Sequence, residues 1–130
     1  MKIYDEEKNL IALLIVKDEI KEGTSFETTK DHEFQIGSFS LSKNTVIENH
    51  VHLNQNRRVI KTSEVLVVLE GEMEVTIFNN NQEYIDIVTV RAGDTIALLS
   101  GGHGIKINED CKFVEVKQGP YVEEKDKIRF

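Results

Sequence analysis

The sequence has one cysteine, one proline and no tryptophan among its 130 residues. A single cysteine, Cys111, excludes an intramolecular disulfide and any metal or redox site built on a CXXC pair. It favours a reducing compartment, so we expect a cytoplasmic protein. The lone proline, Pro120, gives no sign of a proline-rich linker. We therefore expect one domain over residues 1–130, a usual length for a globular domain.

Long apolar runs and positive charge are also scarce. The run at residues 10–16 is far shorter than the roughly 20 residues that span a bilayer, and the N-terminus is acidic where a signal peptide is basic. We expect no membrane insertion. Sixteen Lys and Arg face 23 Asp and Glu, a net charge of -7. Such a surface repels a phosphate backbone, which excludes nucleic acid as an expected partner.

Short runs of β-branched and aromatic residues recur between Gly, Asn, Asp and Ser, while helical periodicity is rare. This rhythm predicts an all-β fold of antiparallel neighbours, arranged as a barrel or sandwich. The predicted strands cover residues 9–16, 34–41, 45–52, 63–70, 72–78, 84–90, 94–99, 104–107 and 112–117. An alternative at the N-terminal end is a helix over residues 10–22. The charged end, residues 123–130, is either a loose tail or a segment docked on a neighbour.

Two of the four histidines stand as His50-Val51-His52 at the end of a predicted strand. Strand residues i and i+2 project from the same side, so both imidazoles could bind one metal ion. The alternative is a surface pair in solvent. His32 lies in a polar segment, and we expect it to be solvated.

Glu64 begins a predicted strand and shares the parity of Leu66 and Val68, so all three point the same way. A carboxylate facing the interior is costly unless it meets a cation or hydrogen-bond donors. His103 stands between glycines in Gly102-His103-Gly104, which gives the backbone freedom to aim the ring. The alternative for His103 is a loop histidine in solvent.

Together these residues resemble the motifs of the cupin superfamily of small β-barrels. His50, His52 and Glu64, followed after six residues by Gly71, are similar to the first cupin motif. The gap between His52 and Glu64 is longer than in that motif, which we interpret as an enlarged loop, and Asn44 stands in place of its upstream glycine.

Residues 93–103 resemble the second cupin motif. Leu99 stands in place of the motif's proline, and His103 stands one position before the place that the motif gives to its histidine. The resemblance covers about residues 34–117 and implies an antiparallel jelly-roll-like barrel, frequently a homodimer. It also implies that His50, His52, Glu64 and His103 bind one divalent transition metal, Fe, Mn, Ni or Zn. Glu64 and His103 are then the candidate catalytic residues.

Four further charged residues are candidates for substrate binding. Arg57 and Arg58 could hold a carboxylate or phosphate over the barrel mouth, or could simply be surface arginines. For the last strand we expect Val114 and Val116 to fill the interior. The opposite parity would instead bring Glu115 and Lys117 into the cavity as a proton donor or a substrate clamp.

The resemblance implies a metal-dependent enzyme, of dioxygenase, isomerase or epimerase type, acting on a small carbohydrate-like or acidic metabolite. A surface-polysaccharide pathway is the expected setting, by analogy alone. One alternative is a non-catalytic cupin that binds or senses a sugar. Another is a metal-free nucleotide-sugar epimerase or isomerase, in which a histidine is the general base. It requires an acidic residue paired with that histidine and a tyrosine opposite it, and the sequence indicates no tyrosine for that position.

Overall fold

The computed structural model describes residues 1–122 and 126–130. Residues 123–125, which belong to the charged end, lie outside the described residues. The strands are β1 (Lys2–Tyr4), β2 (Leu10–Ile15), β3 (Gly23–Phe26), β4 (Gly37–Ser40), β5 (Glu64–Glu70), β6 (Glu72–Phe78), β7 (Tyr84–Arg91), β8 (Thr95–Leu98), β9 (Gly102–Ile107) and β10 (Lys112–Lys117).

These strands form three antiparallel sheets. The five-stranded sheet has the order β1-β2-β8-β5-β10, the three-stranded sheet the order β7-β6-β9, and β3 pairs with β4. The all-β antiparallel prediction is confirmed. Strands β9 and β10 each end their sheet, and both candidate residues His103 and Lys117 lie on these end strands.

The five-stranded and three-stranded sheets share one apolar core. Leu66 and Val68 of β5 belong to the same buried cluster as Met73 and Val75 of β6. Alternate residues of β6 are buried, as expected for a strand with one face on the core. Complete burial of a side chain such as Leu66 contributes about 1.5–3 kcal/mol to folding. The core therefore holds the two sheets against each other and fixes the positions of the strand ends that carry the site.

A second, smaller cluster covers the other face of β2 and β8. It contains Leu13, Ile36, Ala97 and Leu99, whereas Leu14 belongs to the first cluster. Because both faces of β2 are buried, its sequence is a continuous apolar run and does not alternate. The alternative of a helix over residues 10–22 is wrong: β2 is followed only by a short 3-10 helix, Lys17–Glu19.

The predicted strand at residues 45–52 is wrong. The structure gives this segment no strand, and residues 41–62 are exposed throughout. Val46, Glu48, His50 and His52 would share one face of such a strand. A face that mixes apolar and polar side chains gains little from packing on a core, so strand propensity alone did not decide the structure. The predicted strand at residues 34–41 is reduced to β4, and the prediction missed β1 and β3.

Among the described residues, none of the helical segments combines the length and the apolar composition that crossing a membrane requires.

Candidate functional site

Glu64 and His103 meet at the ends of the two main sheets. Glu64 is the first residue of β5, and His103 is the second residue of β9. The Nε2 atom of His103 lies 3.1 Å from Oε2 of Glu64, and the two side chains are 29% and 14% exposed. The imidazole N–H donates to a carboxylate that is mostly shielded from water, which holds the ring in one orientation.

The approach to His103 depends on Gly101. Its φ is +77°, in the left-handed region that favours glycine. A Cβ atom there would collide with the carbonyl oxygen of Phe78. The backbone N–H of Gly101 also donates to Oδ1 of Asn80, at 3.2 Å. The turn before β9 is therefore packed against the β6–β7 hairpin, and this packing sets the position of His103.

Lys117 joins three carboxylates beside this pair. Its Nζ atom lies 3.5 Å from Oε1 of Glu64, 3.4 Å from Oε1 of Glu115 and 3.3 Å from Oδ2 of Asp126. The same ammonium group lies 5.0 Å from the ring centre of Tyr121, an attractive cation–π contact. We call Lys117, Glu64, Glu115 and Asp126 the Lys117 cluster.

The ionisation of the cluster follows from these contacts. The hydrogen bond from His103 lowers the pKa of Glu64 below its usual value of 4.5. Desolvation raises this pKa, but the charges of His103 and Lys117 also lower it, so the net shift is downward. Desolvation lowers the pKa of Lys117, but Asp126, Glu115 and Glu64 outweigh it and raise that pKa. Glu64 is thus an anion and Lys117 a cation at neutral pH.

The last strand has the opposite parity to the one that we expected. In β10, Lys117 pairs with Glu64 and Glu115 pairs with Leu66, and directly paired residues share a face. Val114 and Val116, which we expected inside, are about half exposed. Lys117 is only 16% exposed because Glu64 and Asp126 compensate its charge. Lys117 therefore faces Glu64, as the alternative parity required, whereas Glu115 is exposed and neither residue lines the pocket beside His103.

An open pocket of about 1080 Å³ adjoins the Glu64–His103 pair. Its lining is mixed: Thr62, Asn80, Gln82 and Ser100 are polar and uncharged, and Phe78 is aromatic. Residues 126–130 line it as well. A concave site with a few polar groups and a half-buried acid–base pair fits a small polar molecule.

The structure does not bring His50 and His52 to Glu64 and His103. The two rings contact each other edge to face, with centres 5.2 Å apart, and Nδ1 of His50 lies 2.9 Å from the carbonyl oxygen of Glu48. Within residues 1–122 and 126–130, no three His, Cys, Asp or Glu side chains are grouped closely enough to hold a metal ion. The four predicted metal ligands thus form two separate pairs.

The other predicted residues are also away from this pocket. Arg57 and Arg58 lie on the exposed segment, and neither lines the pocket beside His103. His32 is half-buried, with Nδ1 2.9 Å from Oγ1 of Thr29. It lines a second pocket, of about 480 Å³.

Two residues that contact Lys117, Asp126 and Tyr121, were not predicted from the sequence. Their signal was weak, since a carboxylate in a charged end normally indicates a solvated tail. Ile128 and Phe130 alternate in sequence as the residues of a strand do, and this is the sign in the sequence that the end docks on a neighbour. Phe130 does so, with its ring centre 5.1 Å from that of Phe78.

Residues 21–90 match a family model described as a domain of unknown function (DUF6016). The match covers just over half of the chain. The chain belongs to this family. The DUF6016 match includes Glu64, His50 and His52 and ends before His103 and Lys117, so the family model covers one half of the acid–base pair. No curated protein matches the chain, and neither does any solved structure.

Proposed function

We propose that this protein is a small-molecule isomerase of cupin type, in which His103 is the general base and acid and Glu64 orients it. The observation that carries the proposal is the 3.1 Å contact between His103 and Glu64 at a pocket. A histidine held by a buried carboxylate is a common arrangement for proton transfer near neutral pH. The contact supports the histidine–carboxylate part of the metal-free alternative, but none of the described residues that line this pocket is the tyrosine that the alternative also requires.

The chemistry assigned to His103 is a proton transfer between neighbouring carbons. The ring nitrogen that does not face Glu64, Nδ1, removes a proton from a carbon next to a carbonyl group. This carbon bears a hydroxyl group, so the C–H electrons form the C=C bond of an enediolate while the carbonyl oxygen takes the negative charge. A proton passes from the hydroxyl group to that oxygen, and the imidazolium returns its proton to the former carbonyl carbon as the second oxygen becomes the carbonyl. Glu64 stabilises the imidazolium while it carries the proton.

A carbohydrate-like substrate fits the pocket lining. Hydroxyl and amide side chains, such as Thr62, Ser100, Asn80 and Gln82, can bind sugar hydroxyls. The ring of Phe78 offers an apolar surface for the C–H face of a sugar. A small acidic metabolite would use the same hydroxyl and amide groups, so the substrate panel for a test includes both classes.

The cupin assignment is supported by the arrangement of strands and site. Two antiparallel sheets enclose one core, and the acid and the base come from different sheets at one end. The cupin barrel itself, with one domain over residues 1–130, stays a prediction.

Metal binding by His50, His52, Glu64 and His103 is the second candidate. It rests on the resemblance to the cupin motifs: the four donors stand as two pairs, with the His50 and His52 rings 5.2 Å apart and His103 3.1 Å from Glu64. The present arrangement does not fit a metal, since Glu64 and His103 satisfy each other and the other pair lies elsewhere. Metal analysis of the purified protein and of its His50→Ala and His103→Ala variants tests it. Loss of a stoichiometric metal in both variants would support it.

We also propose a cytoplasmic homodimer. The free thiol of Cys111 suits a reducing compartment. Strands β9 and β10 end their sheets, and their side chains Ile105, Ile107 and Phe113 are about two-fifths to one-half exposed although their paired neighbours are buried. A second copy covering these strands would remove that apolar surface from water. Light scattering of the purified protein measures the oligomeric state, and a monomer at all concentrations would contradict the dimer.

Exchange of carbon-bound hydrogen with solvent tests the proposed reaction. The protein is incubated in D2O with hexose phosphates, nucleotide-sugars and small keto acids, and proton NMR follows deuterium incorporation. We expect incorporation into at least one compound, reduced about 100-fold or more in His103→Gln. His32→Gln is the matched control and should exchange like the unaltered protein. Equal exchange by His103→Gln would overturn the proposal, and binding without exchange would favour the non-catalytic sugar-binding alternative.

A further inference from the structure

Residues 126–130 cross from one main sheet to the other beside the acid–base pair. At one end, Asp126 bonds Lys117 of β10, with Oδ2 3.3 Å from Nζ. At the other end, the ring of Phe130 packs edge to face on Phe78 of β6, and a Cβ atom added to Gly102 of β9 would stand 2.8 Å from that ring. We call residues 126–130 the strap.

The strap places two cations at the pocket. Lys127 and Arg129 lie between its anchors, are exposed, and line the same pocket as Glu64 and His103. The carboxylates of that lining, Glu64 and Asp126, are both bonded to Lys117. Among the described residues, Lys127 and Arg129 form no ion pair.

The described lining of the pocket balances two cations, Lys127 and Arg129, against two carboxylates, Glu64 and Asp126, whereas the molecule as a whole is acidic. The net charge of -7 repels an anionic ligand at long range. An arginine offers paired N–H donors to a phosphate or carboxylate, and a nearby lysine adds a mobile ammonium group. Two such cations on a segment anchored at both ends are suited to hold the anionic group of a bound molecule.

We propose that Lys127 and Arg129 of the strap bind the anionic group of the substrate, which is therefore a phosphorylated or carboxylated small molecule. The inference rests on the proposed function in one respect, since it assigns a substrate class to the same pocket. The sequence suggested Arg57 and Arg58 for binding a carboxylate or phosphate. Lys127 and Arg129 take that role here, because Arg57 and Arg58 lie on an exposed segment and do not line the pocket.

Binding of simple probes tests the inference without any assay of catalysis. Calorimetry or NMR titration compares glucose 6-phosphate, gluconate and glucose on the full chain. We expect at least one anionic probe to bind about tenfold or more tightly than glucose, because hydrogen bonds between charged groups are stronger than those between neutral groups. The phosphate and the carboxylate probe separate the two sources of negative charge. Binding should weaken with added salt.

The variants locate the binding groups. The double variant Lys127→Gln/Arg129→Gln should lose about tenfold or more of the affinity for the anionic probe and none of that for glucose. Arg57→Gln/Arg58→Gln is the matched control and should bind like the unaltered chain. Circular dichroism of each variant should show the same folded spectrum, since all four side chains are exposed.

Two results would overturn the inference: glucose binding as well as both anions, or unchanged affinity in the strap variant. Loss of affinity in the Arg57 and Arg58 variant alone would overturn it as well. The His103→Gln variant separates this inference from the proposed function. That variant should keep its affinity for the anionic probe although it loses deuterium exchange. Anion binding by an unaltered protein that shows no deuterium exchange would leave the strap site standing and remove the isomerase reaction.

Discussion

His103 and Glu64 bridge the two main sheets of the core, with Nε2 of one 3.1 Å from Oε2 of the other. Each residue lies at or near the start of its strand, β9 and β5 respectively. The pair forms only when the buried side chains between the sheets have closed the structure. Folding and the assembly of the proposed base are therefore coupled.

Removing the cation of the Lys117 cluster should destabilise the protein. Lys117→Met leaves the carboxylates of Glu64, Glu115 and Asp126 close together without their common partner. We expect the melting temperature, measured by circular dichroism, to fall by several degrees, and part of the loss to be recovered at high salt.

Lys112→Met is the control for that change. Lys112 pairs with Glu70 at 2.7 Å, but both side chains are more than half exposed. Such surface pairs are worth about 0–1 kcal/mol, so this variant should melt close to the unaltered protein. An equal loss in the two lysine variants would show that the Lys117 cluster is no more important than an ordinary surface pair.

The ionised carboxylate of Glu64 stabilises the folded protein in a way that depends on pH. Its pKa is lowered in the folded state from the usual value of 4.5. The contribution is complete above that value, where the carboxyl group is ionised in both states, and is lost as the pH falls through the folded-state pKa. Urea unfolding of the unaltered protein and of Glu64→Gln measures it. The difference in unfolding free energy should be constant near neutral pH and shrink below about pH 4.5. A difference that stays the same down to about pH 3 would contradict this assignment.

The strands of the core could be predicted from the sequence because the pattern of apolar residues was strong there. Residues 72–78 alternate between core and outside, and the prediction gave β6 its observed bounds. Residues 45–52 have similar composition but no consistent apolar face, and they formed no strand. What decides such a segment is whether a partner strand is present, and that information is not local.

The candidate site was predictable only in part, for the same reason. Parity placed Glu64 on the face of Leu66, and the glycines on both sides of His103 indicated a backbone that could aim its ring, although the positive φ lies one residue earlier, at Gly101. Nothing in the last strand showed which face Lys117 takes. Its orientation depends on Asp126 and Glu64, which are distant in sequence and compensate the charge only in the folded protein.

Leu66→Ala tests the core that joins the sheets. Leu66 is fully buried among residues of both sheets, so its truncation leaves a cavity. We expect a loss of about 2–5 kcal/mol in the free energy of unfolding, measured with urea. Leu53→Ala removes the same atoms from a side chain that is 78% exposed and should cost well under about 1 kcal/mol. Similar losses for the two variants would mean that the exposed segment is packed against something in solution.

Gly101→Ala tests how the backbone positions His103. The substitution places a Cβ atom against the carbonyl oxygen of Phe78 and forces a residue with a side chain to keep a φ of +77°. The left-handed conformation alone costs about 1–2 kcal/mol, and relief of the clash must move the turn that leads into β9. We expect both a lower melting temperature and slower deuterium exchange. Gly104→Ala, whose Cβ atom would meet nothing within 4 Å, is the control and should change stability little. If Gly101→Ala kept full stability and full exchange, the turn would not be what holds the imidazole against Glu64.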